Sequence, residues 1–307
     1  MNICFIGLGS IAERHIKNLK DMLEDNVSID VLRSGKGKSV TQNLLSLIDN
    51  IYFEDEDLKK QYDAIFITNP TAFHYETLKK YNMLSDAFFV EKPVFLNGKE
   101  NLAIFQDIKK IYYVACPLRY TKVIQYLKKH VDFSTIHSMR CISSSYLPEW
   151  RPGTDYRKSY SAIKDMGGGV SIDLIHEWDF LCYLTGKPDK GYNLISKKSS
   201  LELNTDDIAI YIAEYADKTV ELHLDYFGRH PIRRIELFGE EDTISADLIA
   251  QEISYLKNGK VVNLWENRND YHKRELACFL KMVNRESDCT HGLNEACEML
   301  RLAKGEI

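Results

Sequence analysis

The first part of the chain alternates short, wholly apolar runs with segments of helical spacing, and this alternation constrains the fold more than any other feature. NICFIGLG reads as a strand, followed by helical spacing from Ile11 to Leu23. VSIDVL is a second strand, with a helix over Val40 to Ile48. DAIFITNP is a third, with a helix over His74 to Met83. DAFFVEKP is a fourth, with a helix over Lys99 to Lys109. IYYVACP is a fifth, with a helix over Lys122 to Lys129. Strands that are apolar on both faces, with helices between them, imply a parallel sheet covered on both sides. Right-handed crossovers then wind it as a Rossmann-type double layer.

After Pro117 the pattern changes. A single long helix is predicted from Gly168 to Tyr183. Before it comes IHSMRCISSSY; after it come GYNLIS, IAIYIAEY, TVELHLDY, RRIELFG, DTISADL and EISYLK. Their alternation suits antiparallel or mixed pairing, and Asn258-Gly259 predicts a hairpin turn. Glu275 to Val283 and Leu293 to Leu302 return to helical spacing. The expected fold is therefore α/β: an N-terminal Rossmann doubly wound parallel sheet over residues 1–118, then a C-terminal α/β domain over 119–307 with a large, mostly antiparallel open sheet.

The chain has 307 residues, enough for two sizeable cores. A net charge of −5 argues against a nucleic-acid surface built on bulk positive charge. No apolar run reaches the roughly 18 residues that a membrane span needs. The N-terminus runs straight into a strand, without the basic start and apolar run of a signal peptide, so a cytoplasmic location is expected. Seven Cys are scattered from Cys4 to Cys297 without a CxxC pair, which reads as reduced thiols and no metal site.

Chemistry enters at GLGSIA, Gly7 to Ala12, where the first strand turns into a helix. Gly7 suits a tight turn, Gly9 lets backbone approach a pyrophosphate, and Ala12 allows close helix–strand packing. The helix start supplies N–H groups and positive dipole for phosphates. A nicotinamide dinucleotide is the expected cofactor. Asp30 has about the separation of the acid that holds the ribose of NAD, but it lies inside SIDVL. Arg33, Ser34, Gly35 and Lys36 follow the strand. Arg33 and Ser34 suit a 2′-phosphate, which favours NADP over NAD; the alternative is a solvated basic turn.

Glu91, Lys92 and Pro93 end the fourth predicted strand at the sheet's carboxyl edge, where open α/β sheets bind ligands. Lys92 can hydrogen-bond a substrate hydroxyl there, or form a surface ion pair with Glu91. Asp173 and His176 lie three apart in the predicted long helix, on one face. His176 can exchange a proton with an alcohol, and Asp173 can orient it; the competing reading is a structural pair. Gly167, Gly168 and Gly169 permit unusual backbone and a close approach to the cofactor. Lys92, Asp173 and His176 are expected to converge beside the nicotinamide ring.

FIGLGSIAERHIKNL, TNPTAFHYE, VEKP and GGGVSIDLIHEWD, in this order and spacing, resemble the glucose–fructose oxidoreductase and inositol dehydrogenase family (Gfo/Idh/MocA) over nearly the whole chain. The resemblance implies that Lys92 is the catalytic lysine. It places cofactor contacts on Gly7, Gly9, Ser10, Ile11, Asn69, Pro70, Thr71, His74 and Glu91, with Lys92 alongside. It implies sugar-like substrates: sugars, inositols, sugar acids and nucleotide sugars. It also implies C-terminal helices, about 272–304, packing back toward the Rossmann domain, and an open sheet used for a homodimer or homotetramer. One departure is the spacing of Asp173 and His176, four apart in many members. The segment before GGG offers Trp150-Arg151 and Tyr156-Arg157 as substrate-binding pairs. Two arginines suggest an anionic group on the substrate, or else pin the loop to acidic neighbours. The activity expected is hydride transfer at a CH–OH carbon. The alternatives are an imine or tetrapyrrole-type reductase and a non-catalytic dinucleotide sensor.

Overall fold

The computed structural model describes residues 1–35, 40–59 and 61–306. The chain divides into two units. The first holds Met1–Ala115 and His272–Glu298, the second Cys116–Tyr271 and Met299–Ile307.

The first unit is built on six parallel strands: β1 (Asn2–Ile6), β2 (Ser28–Leu32), β3 (Asn50–Tyr52), β4 (Ala64–Ile67), β5 (Ala87–Val90) and β6 (Ile111–Val114). Their order is β3-β2-β1-β4-β5-β6, with every neighbouring pair parallel. β1, β4, β5 and β6 bury nearly all their residues, as a sheet covered on both faces requires. Register brings Phe5, Phe66, Phe89 and Tyr113 side by side. Their rings form a file across the sheet, with neighbouring centroids 4.6, 4.8 and 5.3 Å apart. Phe279, from helix α7 (Asp270–Val283; the helices are numbered in chain order), meets Phe66 and Phe89 edge-on at 5.5 and 5.3 Å. A fully buried ring in such a contact stabilises by about 3–5 kcal/mol relative to alanine.

Helices α1 (Ser10–Leu23), α2 (Gln42–Leu45) and α3 (His74–Tyr81) connect these strands. Three expectations change here. The short edge strand β3 makes the sheet six-stranded rather than five-stranded, and α2 covers only part of Val40 to Ile48. Lys99 to Lys109 holds one 3-10 turn, Leu102–Phe105, in place of a helix. Side-chain oxygens of Asn97, Asn101 and Asp107 accept the backbone N–H groups of Lys99, Ala103 and Lys109, which offers the chain local turns instead of a helical ladder.

The second unit carries α4 (Lys122–His130), α5 (Val170–Asp173) and α6 (Ile175–Thr185), and eight strands. The strands are β7 (Ile136–Ser144), β8 (Lys190–Ser196), β9 (Ile208–Glu214), β10 (Thr219–Asp225), β11 (Ile232–Gly239), β12 (Thr243–Asp247), β13 (Glu252–Tyr255) and β14 (Lys260–Asn263). They pair as β14-β13-β12-β11-β7-β10-β9-β8, antiparallel except for β7 with β10. Gly259, at φ +73°, closes the β13–β14 hairpin after Asn258. Alternation is strict in β9: Ala209, Tyr211 and Ala213 are buried, and Trp178 of α6 packs edge-on to Tyr211 at 5.2 Å. On the opposite face Tyr192, Leu194 and Ile212 are exposed. Helix α8 (Leu293–Ala303) ends in this unit, where the Tyr211 hydroxyl donates to the Ala303 carbonyl at 2.5 Å. The predicted single helix from Gly168 to Tyr183 is two helices, α5 and α6. They are broken at Leu174 (φ −95°, ψ 31°), so helical spacing does not relate Asp173 to His176.

Candidate active site

The turn after β1 has the geometry that a phosphate loop needs. Gly7 sits at φ +99° and its N–H donates to Leu32 O at 2.9 Å. A Cβ there would lie 2.7 Å from both Cα and N of Asn69, so no other residue fits. Gly9 is different: nothing lies within 4 Å of where its Cβ would be. It precedes α1 in an extended conformation with no side-chain cap, and the first helical bond runs from Glu13 N to Gly9 O. The N–H groups of Ser10, Ile11 and Ala12 therefore lie outside the helical ladder, at the positive end of the helix. Ala12 is fully buried. These features fit a dinucleotide pyrophosphate.

Asn69 follows β4, and its Nδ2 donates to Thr77 Oγ1 at 2.7 Å while its buried Oδ1 has no hydrogen-bond partner among the described residues. Pro70 is exposed and Thr71 half-buried beside it. His74 is buried. Its two ring nitrogens face Val94 O at 3.1 Å and Asn69 O at 2.9 Å, tying the Asn69 turn to the segment after Pro93. Burial pulls the imidazole below the usual histidine range, against the pull of those carbonyls.

Asp30 is fully buried. It accepts from Asn50 Nδ2 at 2.9 Å and Tyr62 OH at 3.0 Å, and lies 3.1 Å from Lys59 Nζ. It belongs to the packing beneath β2. The strand end instead presents Arg33, whose N–H donates to Tyr52 O, and the exposed Ser34. Lys36 lies outside the described residues.

Glu91 leaves the end of β5 as a buried carboxylate. Oε1 is 2.7 Å from His15 Nε2 on α1, and Oε2 accepts the Lys92 N–H at 3.3 Å. Burial acts to raise this carboxyl, but the His15 bond and the charge of Lys92 outweigh it and hold it below the usual range. Lys92 is half-buried, and the Lys92–Pro93 peptide is cis.

In the second unit, Asp173 is buried and accepts from two phenols, Tyr160 OH on Oδ1 and Tyr226 OH on Oδ2, the latter at 2.7 Å. Burial, reinforced by the Asp173 charge, raises both phenols well above the usual tyrosine value. His176 is half-buried at the start of α6. Gly168 and Gly169 serve this chain's own packing. A Cβ on Gly168 would lie 2.0 Å from Tyr160 O, and one on Gly169, at φ +128°, 2.3 Å from Asp206 Oδ1. Asp206 caps α5 by accepting Ser171 N at 2.9 Å, and burial pushes its carboxyl up.

Trp150 sets its ring edge-on to Tyr226 at 5.3 Å and donates Nε1–H to Ser145 Oγ. Arg151 lies 5.6 Å over the Tyr160 ring and, among the described residues, has no carboxylate partner. Arg157 is held differently. It grips Asp155 through Nε and Nη2 at 2.8 and 3.1 Å and reaches Glu202 at 3.3 Å, while Tyr156 OH accepts Glu202 N–H. Arg157 and Tyr156 thus pin the loop to its neighbours, whereas Trp150 and Arg151 join the Asp173 cluster. Sequence reasoning passed over Tyr160, Tyr226, Asp206 and His15. Only His15 carried a local signal, as a polar residue on the apolar stripe of Ala12, Ile16 and Leu19. Among the described residues no group of three or more His, Cys, Asp or Glu could hold a metal ion, and none of the seven cysteines forms a disulfide. No helix there is long and apolar enough to cross a membrane.

A parallel sheet in this order, with a glycine-started helix open to phosphate after its first strand, defines an NAD-binding oxidoreductase fold. Residues 1–115 match the NAD-binding Rossmann domain of the Gfo/Idh/MocA oxidoreductases, and residues 124–245 match the C-terminal domain of that family. The chain belongs to the Gfo/Idh/MocA family. It is 24% identical to the uncharacterized oxidoreductase YrbE of Bacillus subtilis (strain 168), over 97% of this chain and 91% of that one. UDP-N-acetylglucosamine 3-dehydrogenase GnnA from Acidithiobacillus ferrooxidans has a similar structure, with a TM-score of 0.79, 18% identity, and 99% and 96% of the two chains covered. So does levoglucosan dehydrogenase in complex with NADH, with a TM-score of 0.83, 15% identity, and 99% and 95% covered.

Proposed function

We propose that this protein is an NAD(P)-dependent oxidoreductase acting at a CH–OH or C=O carbon of a sugar, sugar acid or nucleotide sugar. The observation that carries this reading is topological. The open start of α1 and Lys92 both stand at the carboxyl edge of one parallel sheet, after β1 and β5, with β4 between them. Gly7, Gly9, Ser10 and Ile11 hold the pyrophosphate, and the Asn69–Thr71 turn, Glu91 and Lys92 flank the rest of the dinucleotide. Arg33 and Ser34 take a 2′-phosphate, which favours NADP. A bound nicotinamide dinucleotide supplies the hydride acceptor or donor.

The chain's own residues orient the substrate and carry its proton. Lys92 hydrogen-bonds the reacting oxygen, and His176 exchanges the proton as that oxygen changes between hydroxyl and carbonyl. Asp173, fixed by Tyr160 and Tyr226, orients His176. Arg151 meets an anionic group of the substrate. Support for a sugar comes from the two similar structures, whose names are those of sugar dehydrogenases. Further proposals are a cytoplasmic location and a homodimer or homotetramer built on the open face of the eight-stranded sheet. The deciding experiment is calorimetry with NAD, NADH, NADP and NADPH, followed by reduced-nicotinamide absorbance with a panel of sugars, inositols, sugar acids and nucleotide sugars. Binding of a dinucleotide with turnover of one member supports the reading. Dinucleotide binding without any turnover would favour a sensor, and no binding at all would end the proposal.

A further inference from the structure

His15 is an unusual residue for its place. It lies on α1, one turn past the glycine loop, fully buried among Phe66, Phe89 and the ring of His272. Its Nε2 is 2.7 Å from Glu91 Oε1, while its buried Nδ1 has no hydrogen-bond partner among the described residues. An unbonded buried N–H costs more than an unbonded ring lone pair, so the proton belongs on Nε2, which donates to the carboxylate. Glu91 in turn receives the Lys92 N–H on its other oxygen. One continuous path therefore runs from the dinucleotide-binding helix through a buried carboxylate to the lysine of the proposed reaction. Beside it, separate bonds tie helix α7 to the same unit: Arg14 Nη1 donates to His272 Nε2 at 2.9 Å, and Tyr113 OH donates to Glu275 at 3.1 Å.

We propose that His15 is a positioning residue for Lys92, holding Glu91 as the carboxylate that accepts the Lys92 backbone N–H and whose charge acts on the neighbouring lysine. The role is neither to contact substrate nor to bind the dinucleotide. The alternative, a histidine buried only for packing, would leave Lys92 indifferent to its replacement. With His15→Leu, Glu91 stays buried but loses its donor, and burial then favours its neutral form. Lys92 then loses a neighbouring negative charge and the charged acceptor of its backbone N–H.

The inference rests on the proposed function for its consequence in turnover but not for its consequence at Lys92 itself, so the test reads both. In the resting protein, acetic anhydride labelling at fixed neutral pH, followed by peptide mass spectrometry, reports the nucleophilicity of each lysine. His15→Leu and Glu91→Gln should each raise Lys92 labelling by about threefold or more relative to the unaltered protein, with exposed Lys79 unchanged. His15→Gln, whose amide nitrogen can stand near the Nε2 position, should restore labelling to near the original rate. Once a substrate is in hand, His15→Leu should lower kcat by about ten- to a hundredfold, with KM and dinucleotide Kd within about threefold, and His15→Gln should recover most of the loss. Lys92 labelling that changes by less than this in both Glu91→Gln and His15→Leu would overturn the proposal, as would an equal rise at Lys79. If His15→Leu fails to fold, Glu91→Gln and His15→Gln decide it alone. If no sugar is turned over, the functional reading fails while the Lys92 labelling still judges the role of His15.

Discussion

Tyr226 donates its hydroxyl to Asp173 at 2.7 Å, and the buried carboxylate also receives the hydroxyl of Tyr160. A buried acid with two phenol donors is held in place from outside its own helix. Tyr226→Phe removes one donor and leaves the carboxylate short of a partner. Such a loss costs about 1–3 kcal/mol for a buried acceptor, and more when the acceptor is charged. The denaturant midpoint should fall accordingly, with an unchanged slope. A midpoint equal to that of the unaltered protein would show that Asp173 does not depend on this bond.

The two glycines of the first turn should part company when each is changed to alanine. Gly7→Ala forces a Cβ against the Asn69 backbone at a positive φ, and destabilises the first unit as a whole. Gly9→Ala meets open space and should melt at nearly the original temperature. Its dinucleotide affinity should fall by about tenfold or more, because the methyl stands where phosphate must approach. Calorimetry showing full affinity in Gly9→Ala would mean the pyrophosphate lies elsewhere.

Cofactor choice tests the role proposed for Arg33. NADPH should bind more tightly than NADH, and Arg33→Ala should remove most of the difference, since a charge-assisted bond contributes about 1.5–3 kcal/mol. Paired titrations of the four dinucleotides decide this. An unaltered protein that does not distinguish NADPH from NADH contradicts the assignment.

Turnover should separate the arginines of the loop and should test the roles proposed for Lys92 and His176. Lys92→Ala and His176→Ala should each lower kcat by about 10²–10⁴-fold with little effect on dinucleotide affinity. Arg151→Ala should raise KM for an anionic sugar, while Arg157→Ala, which only releases Asp155 and Glu202, should leave KM near its original value. Steady-state kinetics in which Arg157 matters more than Arg151 would reverse their roles.

On the open face of the second sheet, register sets Tyr192 opposite Ile212 and Leu194 opposite Ile210. Tyr192, Leu194 and Ile212 are 68%, 48% and 47% exposed, a contiguous apolar patch that favours a partner copy. Light scattering should report a dimer or tetramer that Ile212→Glu reduces toward monomer. A monomer from the unaltered chain at micromolar concentration would remove the interface.

Legibility followed the range of the cause. The Gly7 turn and the strands of the first unit rest on neighbouring residues, so a fixed motif and apolar runs sufficed to find them. The three residues of β3 are too few to announce a strand, and their pairing with β2 is what makes them one. Lys99 to Lys109 has helical spacing, yet its Asn and Asp side chains turn the backbone locally. The partners of Asp173 lie 13 and 53 residues away, Tyr160 and Tyr226, with nothing in the nearby sequence to name them. The glycines at 167–169 were read as a close approach to the cofactor; at Gly168 and Gly169 the backbone instead lies against Tyr160 and Asp206 of the same chain, distant in sequence.

The row of rings across the first sheet has a consequence for how the chain is made. Phe5, Phe66, Phe89 and Tyr113 are synthesised early, but Phe279, which closes over two of them, comes near the end. On the ribosome the nascent N-terminal half therefore lacks the ring that closes over Phe66 and Phe89 until the polypeptide behind it has emerged. At roughly 5–20 residues per second that wait lasts several seconds or more, long enough for chaperones to matter and for truncated chains to aggregate.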